Sequence, residues 1–540
     1  MTRAVESDLA IVGSGFAGSL LALIARHLGC SVALIERGTH PRIVIGESTT
    51  PLTNLFLEEL CDRYELPEIR NFSKWGTWQR NHPEVGCGLK RGFSFFHHSL
   101  DGSGIDPLAD RTRQLLVAAS PHDGIADTHW YRADFDNLLM QAARRSGAEY
   151  FDHVLLNDAA ESAGGMELRG TRHGCPMAFR AKFVVDATGP RGFLHRALQL
   201  GEAQLPTMPP TQALYSHFSG VERLESQVLY HEAPPYPVDD AAVHHIFPGG
   251  WIWVLQFNNG MTSAGVVCTD ETAAKLGLSA APRPQCPNPA DREAHDAAAW
   301  QRLLESIPAL RNQFAGARPI RPFIRIPRLS FRSAQIVGRH WALLPSAAGF
   351  VDPLLSTGFP LTLLGIERLA AILEEGPNGP DRSDRLSDYA VQTDADLLAA
   401  ADLVGALYAS MDNFPVFVAL TMLYFAAVSY AESAHRLGKP ELASSFLLAD
   451  HPRFGPDLRA LIRQSRCIST PEQTARFAED VRRAVDPINV AGLADPDRRN
   501  WYPVEANDLL AGAHKLHVTR EEVESLLDRC GFRQMSSVEA

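Results

Sequence analysis

Hydrophobic positions at the amino terminus form an apolar run over residues 9–12, a helical pattern unbroken to Leu28, and a second apolar run over residues 32–35. Short apolar runs beside glycine read as buried strands, and helical recurrence over a dozen residues reads as a helix, which Gly29 is placed to end. The predicted order is strand, helix, strand. A second helical pattern covers residues 52–60, and another starts at Tyr131 and ends near Gly147. Strand-like pieces follow at residues 150–155 and 179–185, the middle third is β-rich, and a strand at 341–344 precedes a helix over 360–374. A Gly- and Pro-marked break at 375–385 leads into a mostly helical remainder.

Over residues 86–98, alternation of period two places Leu89, Arg91, Phe93 and Phe95 on one face and Lys90, Gly92, Ser94 and Phe96 on the other. Lys90 therefore sits among small and aromatic neighbours, although a strand lysine is ordinarily a solvated edge residue. Trp251, Trp253 and Leu255 share a face by the same period. Residues 280–298, rich in Pro, Asp and Ala, read as an exposed insertion. The apolar run 414–430, about 17 residues interrupted by Pro415, Thr421 and Ser429, is shorter than the ~20 a bilayer span needs, so a buried helix is expected and no transmembrane segment.

Composition narrows the partners. The 540 residues are 45% hydrophobic and 21% charged, with a formal net charge of -12, and no basic stripe offsets the acidic balance. Nucleic acid is a poor partner for such a surface, and a small or neutral one fits better. Eight scattered cysteines without Cys-x-x-Cys or zinc spacing read as reduced thiols of a cytoplasmic protein. Acids ahead of the first apolar run argue against a secretory signal.

The first strand enters Gly13-x-Gly15-x-x-Gly18 and the second ends in Glu36. Gly13 permits a tight turn, Gly15 lets a pyrophosphate approach the backbone, and Gly18 lets helix and strand pack closely, with phosphate at the helix N-terminus. Glu36 is placed to take ribose hydroxyls. A whole frame of this kind points to a dinucleotide site. Asp186-x-x-Gly189, at the end of a later strand, suits a second backbone contact with the nucleotide. In the loop 40–51, Gly46-Glu47-Ser48 lie near the dinucleotide if the loop folds back, with Thr49 or Thr50 as the N-cap of the next helix. His244-His245 have no companion acid or cysteine at metal spacing, so no metal is expected.

Together these motifs resemble the flavin-dependent halogenases, a branch of the FAD monooxygenase-fold flavoproteins, over about the first 390 residues. The resemblance rests on the glycine fingerprint, Glu36, Gly46-Glu47-Ser48, Lys90 in Leu-Lys-Arg-Gly-Phe, Arg132 in Tyr-Arg-x-Asp-x-Asp, Asp186-x-x-Gly189, Trp251-x-Trp253 and Phe-Val-Asp352-Pro-Leu-Leu-Ser-Thr-Gly358. Lys90 and Trp-x-Trp point to halogenases in particular, and the spacing around Lys90 and His244-His245 resembles most the branch that chlorinates pyrrole and phenol rings. The implied fold is α/β: an FAD-binding Rossmann-type core over residues 1–390 with an interleaved β-rich substrate region at about 90–130 and 200–335, then a mainly helical region, 391–540.

The resemblance further implies FAD held by Gly13, Gly15, Ala17, Gly18, Glu36, Glu47, Arg132, Asp186, Gly189, Asp352 and Phe359. With no second nucleotide fingerprint, FADH2 is expected from a separate flavin reductase. In that family a flavin C4a-hydroperoxide oxidises chloride or bromide to hypohalous acid, which travels to a lysine beside a small aromatic substrate, free or tethered to a carrier protein. Lys90 is that implied catalytic lysine, hydrogen-bonding the acid or carrying the halogen as a haloamine. Desolvation among Phe and Gly would lower its pKa for either task. Ser356, Thr357 and Gly358, at a turn entering a helix, would hold the halide through backbone N–H groups. Trp251 and Trp253 would wall the flavin from the substrate.

The chain departs from the family in three places. Trp-x-Trp continues to Leu255-Gln256 where Ile-Pro is usual, Pro345-Ser346 stand where many flavoproteins have Gly-Asp, and Leu355 stands where tryptophan halogenases have Glu. The last points to a phenol or pyrrole substrate and away from free tryptophan. Two other readings stay open: an FAD monooxygenase hydroxylating an aromatic, favoured by Gln256, and a flavin-binding maturation or scaffold protein, favoured by the helices after residue 390.

Overall fold

The computed structural model describes residues 4–100, 107–162, 164–227, 232–279, 288–376 and 381–533. Strand β1 (Val5–Val12), helix α1 (Phe16–His27) and strand β2 (Val32–Ile35) form the first unit. Every α1 residue from Phe16 to Ala25 is buried, the mark of a helix covered on all sides. Gly29, at φ +83°, takes the left-handed turn that ends it. Helix α2 (Pro51–Arg63) begins at Thr50, whose hydroxyl and backbone exchange hydrogen bonds with Thr53.

Next come β3 (Cys87–Lys90), β4 (Gly92–His97), β5 (Gln114–Ala118), β6 (Asp127–Trp130) and helix α3 (Arg132–Arg145). Strands β7 (Glu149–Phe151), β8 (Val154–Ser162), β9 (Gly165–Arg172) and β10 (Cys175–Asp186) complete the first half. In the first sheet, ordered β7-β2-β1-β10-β9-β8, the β7-β2-β1-β10 portion is parallel and β9 and β8 are antiparallel additions. The second sheet contains β11 (Thr211–Ser219), β14 (Met261–Thr269), β13 (Gly250–Gln256) and β12 (Ala242–Phe247), followed by β4 and β5. Strand β4 joins β12 in parallel, so segments far apart in sequence share one sheet.

Three expectations are corrected. The even alternation over 86–98 fails at Arg91, where the chain leaves the ladder: its N–H donates to Asp240 and its carbonyl accepts from Ala119. Two strands result, and Lys90, expected opposite Phe93, lies over its ring. Residues 289–298, expected as an exposed insertion, are exposed over most of their length but helical, opening helix α4 (Pro289–Ser306), which buries Trp300 and Leu303 further along; residues 280–287 lie outside the described ones. The apolar segment is longer than its uninterrupted run, because the helix absorbs Thr421 and Ser429 and starts with Pro415 in its first turn, where proline is tolerated.

Strand β15 (Trp341–Leu343) adds to β10 in parallel and leads to helix α5 (Gly358–Glu374), then α6 (Arg382–Tyr408) and α7 (Phe414–Arg436). By length and composition α7 could cross a membrane, but every residue from Val416 to Val428 is buried inside the protein, as in a core helix. Among the described residues the cysteines are free and no group of three His, Cys, Asp or Glu could hold a metal; Cys286 lies outside them.

Candidate active site

A cavity of ≈360 Å³ opens at the carboxyl ends of β1, β10 and β15, where ligands bind in open α/β sheets. Gly13 holds φ +101° at the turn out of β1. A Cβ on Gly18 would lie 1.9 Å from the Gly13 carbonyl oxygen, so only glycine lets α1 start this close to the strand. Gly15, Phe16 and Ala17 line the cavity at the α1 N-terminus, where no side chain caps the first turn. Thr188 and Gly189 line it from the β10 exit.

Other expected contacts stand behind the wall. Glu36 accepts from the Ser14 N–H (3.1 Å) and the Gly38 N–H (3.0 Å) and pairs with Arg42 (3.4 Å). Asp186 accepts from Thr188 on one oxygen and from the Leu194 N–H on the other. These carboxylates brace the turns that face the cavity.

The loop through Glu47 does fold back over this space. Arg132 secures it, donating from Nη1 to the Gly46 carbonyl at 2.7 Å while its Nε and Nη2 grip Asp136 at 2.6 and 2.8 Å. Glu47 Oε1 lies 2.7 Å from His217 Nε2, both buried. Arg132→Met would strand the fully buried Asp136. A loss of about 3–5 kcal/mol in stability is expected, read by denaturant unfolding, with weakened flavin binding as the loop is released.

At the start of α5, Ser356 takes φ +54°, Thr357 caps the helix and Gly358 opens it, so the N-terminus of a 17-residue helix faces the cavity. Phe359 packs edge-on against Phe16 at 4.9 Å. Asp352 lines the cavity, but its carboxyl accepts from the Leu354 N–H (2.9 Å) and the Tyr408 hydroxyl (2.9 Å), and Tyr408 accepts from Trp251 (3.1 Å). Burial pushes Asp352 up to about 7.

Trp251, Trp253 and Leu255 share the cavity-facing side of β13, the tryptophan rings 5.9 Å apart. Gly265 on β14 makes room for Trp253: a Cβ there would meet the indole at 2.4 Å. The Gln256 side chain does not line this cavity, which removes the residue that favoured direct oxygen transfer.

Lys90 is wholly buried. Its ammonium donates to the Thr49 carbonyl and lies 3.8 Å from the centre of the Phe93 ring. Burial lowers its pKa, and the charge of Asp127 opposes that shift. Ser48, just before Thr49, lines the first cavity, whereas Thr50, Phe93 and Asp127 line a second, of ≈160 Å³. Lys90 thus stands in the wall between two cavities and lines neither. The second is closed by Tyr424 and Phe425 of α7 and by Leu527 near the C-terminus.

Sequence reasoning passed over Asp127, Asn54 and Tyr408. Asp127 had a signal, an acid flanked by Ile125-Ala126 and Thr128-His129-Trp130, a stretch with no other formally charged residue. The first cavity suits FAD on its own chemistry: two helix N-termini and the half-exposed guanidinium of Arg42 for phosphates, aromatic rings for a flat ring system.

The family model described as tryptophan halogenase matches residues 8–100 and 128–414. The tetracycline 7-halogenase of Kitasatospora aureofaciens is 29% identical over 423 residues, 78% of this chain and 73% of that protein. The monodechloroaminopyrrolnitrin halogenase PrnC of Pseudomonas fluorescens is also 29% identical over 423 residues, covering 77% and 70%. In fold, the crystal structure of halogenase PltM in complex with phloroglucinol and FAD superposes with a TM-score of 0.76 at 24% identity, over 91% of this chain and 99% of that one.

Proposed function

Because the chain belongs to the tryptophan halogenase family and is a flavin-dependent halogenase, we propose that it halogenates a phenol- or pyrrole-type ring through hypohalous acid handed to Lys90. The observation that carries this reading is the placement of one buried ammonium in the wall between two cavities. FAD, bound in reduced form, would supply the two electrons that activate molecular oxygen, which is the oxidant of chloride or bromide. Gly15, Ala17, Gly189, Arg132 and Phe359 would hold it, with Gly13, Gly18, Glu36 and Asp186 shaping the turns behind them.

Thr357 and Gly358, with Ser356 setting the turn, would hold the halide at the α5 N-terminus, where backbone donors and the helix dipole favour an anion. Glu47 and Asp352 keep their carboxylates engaged with His217 and Tyr408, away from that anion. Trp251 and Trp253 would keep the organic substrate off the flavin. Lys90, kept dry and held to the Thr49 carbonyl, can donate to the neutral oxidant or take its halogen. Leu355 in place of an acid argues for a ring activated by its own hydroxyl or nitrogen.

The test is a mixture of the chain, FAD, a flavin reductase, NADH, halide and a panel of phenols and pyrroles. A product that gains chlorine or bromine only when halide is present is expected; a gain of oxygen indifferent to halide would replace this reading with hydroxylation. The chain alone should not accept hydride. NADPH added to the FAD-loaded protein is expected to leave the flavin absorbance unbleached until a reductase is added, and rapid bleaching without one would overturn the need for a separate partner.

A further inference from the structure

We propose that Asp127 is the proton partner of Lys90: it holds the proton that Lys90 must lack before its nitrogen can bond a halogen, and it accepts the ring proton once the substrate is substituted. The inference rests on Lys90 as the halogen carrier of the reading above. Lys90 and Asp127 are direct partners across the β3–β6 ladder, which puts their side chains on one face. Both are buried. Asn54 donates to Asp127 Oδ1 at 2.6 Å and fixes the carboxyl, while buried Oδ2 has no hydrogen-bond partner. Asp127 lines the second cavity, which under this proposal is the substrate space, so that free oxygen belongs to a group beside it.

A plain counter-charge would close on the ammonium. Lys90 gives its hydrogen bond to the Thr49 carbonyl instead, and Asp127 takes its own from Asn54. Burial moves the two groups toward each other, lowering the lysine and raising the carboxyl, so that a single proton can reside on either of them.

The cycle balances. With Lys90 as amine and Asp127 as acid, the amine attacks hypohalous acid: an N–X bond forms, the X–O bond breaks, and one amine hydrogen leaves with the oxygen as water. The ring carbon then attacks the halogen, a C–X bond forms, and the N–X pair returns to nitrogen, which takes the proton of Asp127. The ring loses its proton to the Asp127 carboxylate, restoring both groups. The halogen stays formally positive until it reaches carbon, so no further oxidant is needed.

Other charged groups near the pair do not supply this proton. From α7, Arg436 pairs with Glu432 and Glu58, and Lys74 pairs with the same Glu58. Burial holds His129 and His244 down to about 3, so both are neutral at working pH, and it pushes the Tyr424 hydroxyl above its ordinary value.

The experiment follows a phenol in the complete reductase-coupled system with wild type, Asp127→Asn and Asp127→Glu, each first shown to bind FAD. Wild-type kcat is expected to be bell-shaped with limbs on either side of about 7, because the pair must carry one proton. Asp127→Asn should lose about 100-fold or more in kcat with KM within about threefold, and should lose one limb. Asp127→Glu should recover part of the rate and both limbs. A wild-type profile flat from about pH 6 to about pH 9, an Asn variant within about threefold of wild type, or a Glu variant without the bell would overturn the proposal. Were wild type to form no halide-dependent product, the halogenase reading itself would fall, an outcome distinct from these.

Discussion

Lys90→Met is expected to abolish halogenated product, by about 10³-fold or more, while the protein still binds FAD and consumes oxygen when given reduced flavin. Methionine matches the length of the lysine stem and fills the same apolar slot beside Phe93. Removing the ammonium also removes a desolvation cost, so folding should not suffer, and Asp127, already pushed up by burial, can stay protonated without its partner. Only the Thr49 carbonyl loses a donor. Flavin titration, oxygen uptake and product mass on one preparation would check all three claims. An unchanged product yield would remove Lys90 from the mechanism, and simultaneous loss of FAD binding would mean that the wall had collapsed.

The second large effect is at the glycine turn. In Gly18→Ala the new methyl would sit 1.9 Å from the Gly13 carbonyl oxygen and 3.2 Å from the Ala187 side chain. The nearest atom is backbone and cannot swing aside, and Gly13 is itself pressed against Ala187, whose carbonyl oxygen a Cβ on Gly13 would meet at 2.7 Å. The helix must therefore move off the strand. A loss of about 3 kcal/mol in stability is expected, together with FAD affinity, because the α1 N-terminus shifts with the helix. Gly15→Ala is the informative control. Its methyl would meet only side-chain ends, the nearest Arg42 at 3.5 Å, so Tm should hold while FAD binding weakens if phosphate approaches the backbone there. Equal Tm for Gly18→Ala and wild type would contradict this account of the turn.

Local order of polar and apolar residues determined much of the architecture. Residues 9–12 and 32–35, buried on both faces, could only be central strands, and glycines at fixed offsets in a strand-to-helix turn carry their reason in the backbone. The side-by-side tryptophans were equally legible, because period two holds inside an unbroken strand. That rule failed at Arg91, where a hydrogen bond to Asp240, some 150 residues on, pulls the chain out of register.

Only the fold decided which carboxylates face the cavity and which brace its turns, since Glu36 and Asp186 take their bonds from residues that curl around them. Only the fold brought Asp127 opposite Lys90 and Asn54 against Asp127, because a ladder pairing and a helix packed on it carry no short-range signature. Backbone conformation is written in neighbouring residues, whereas the proton affinity of a buried group depends on what distant segments place around it.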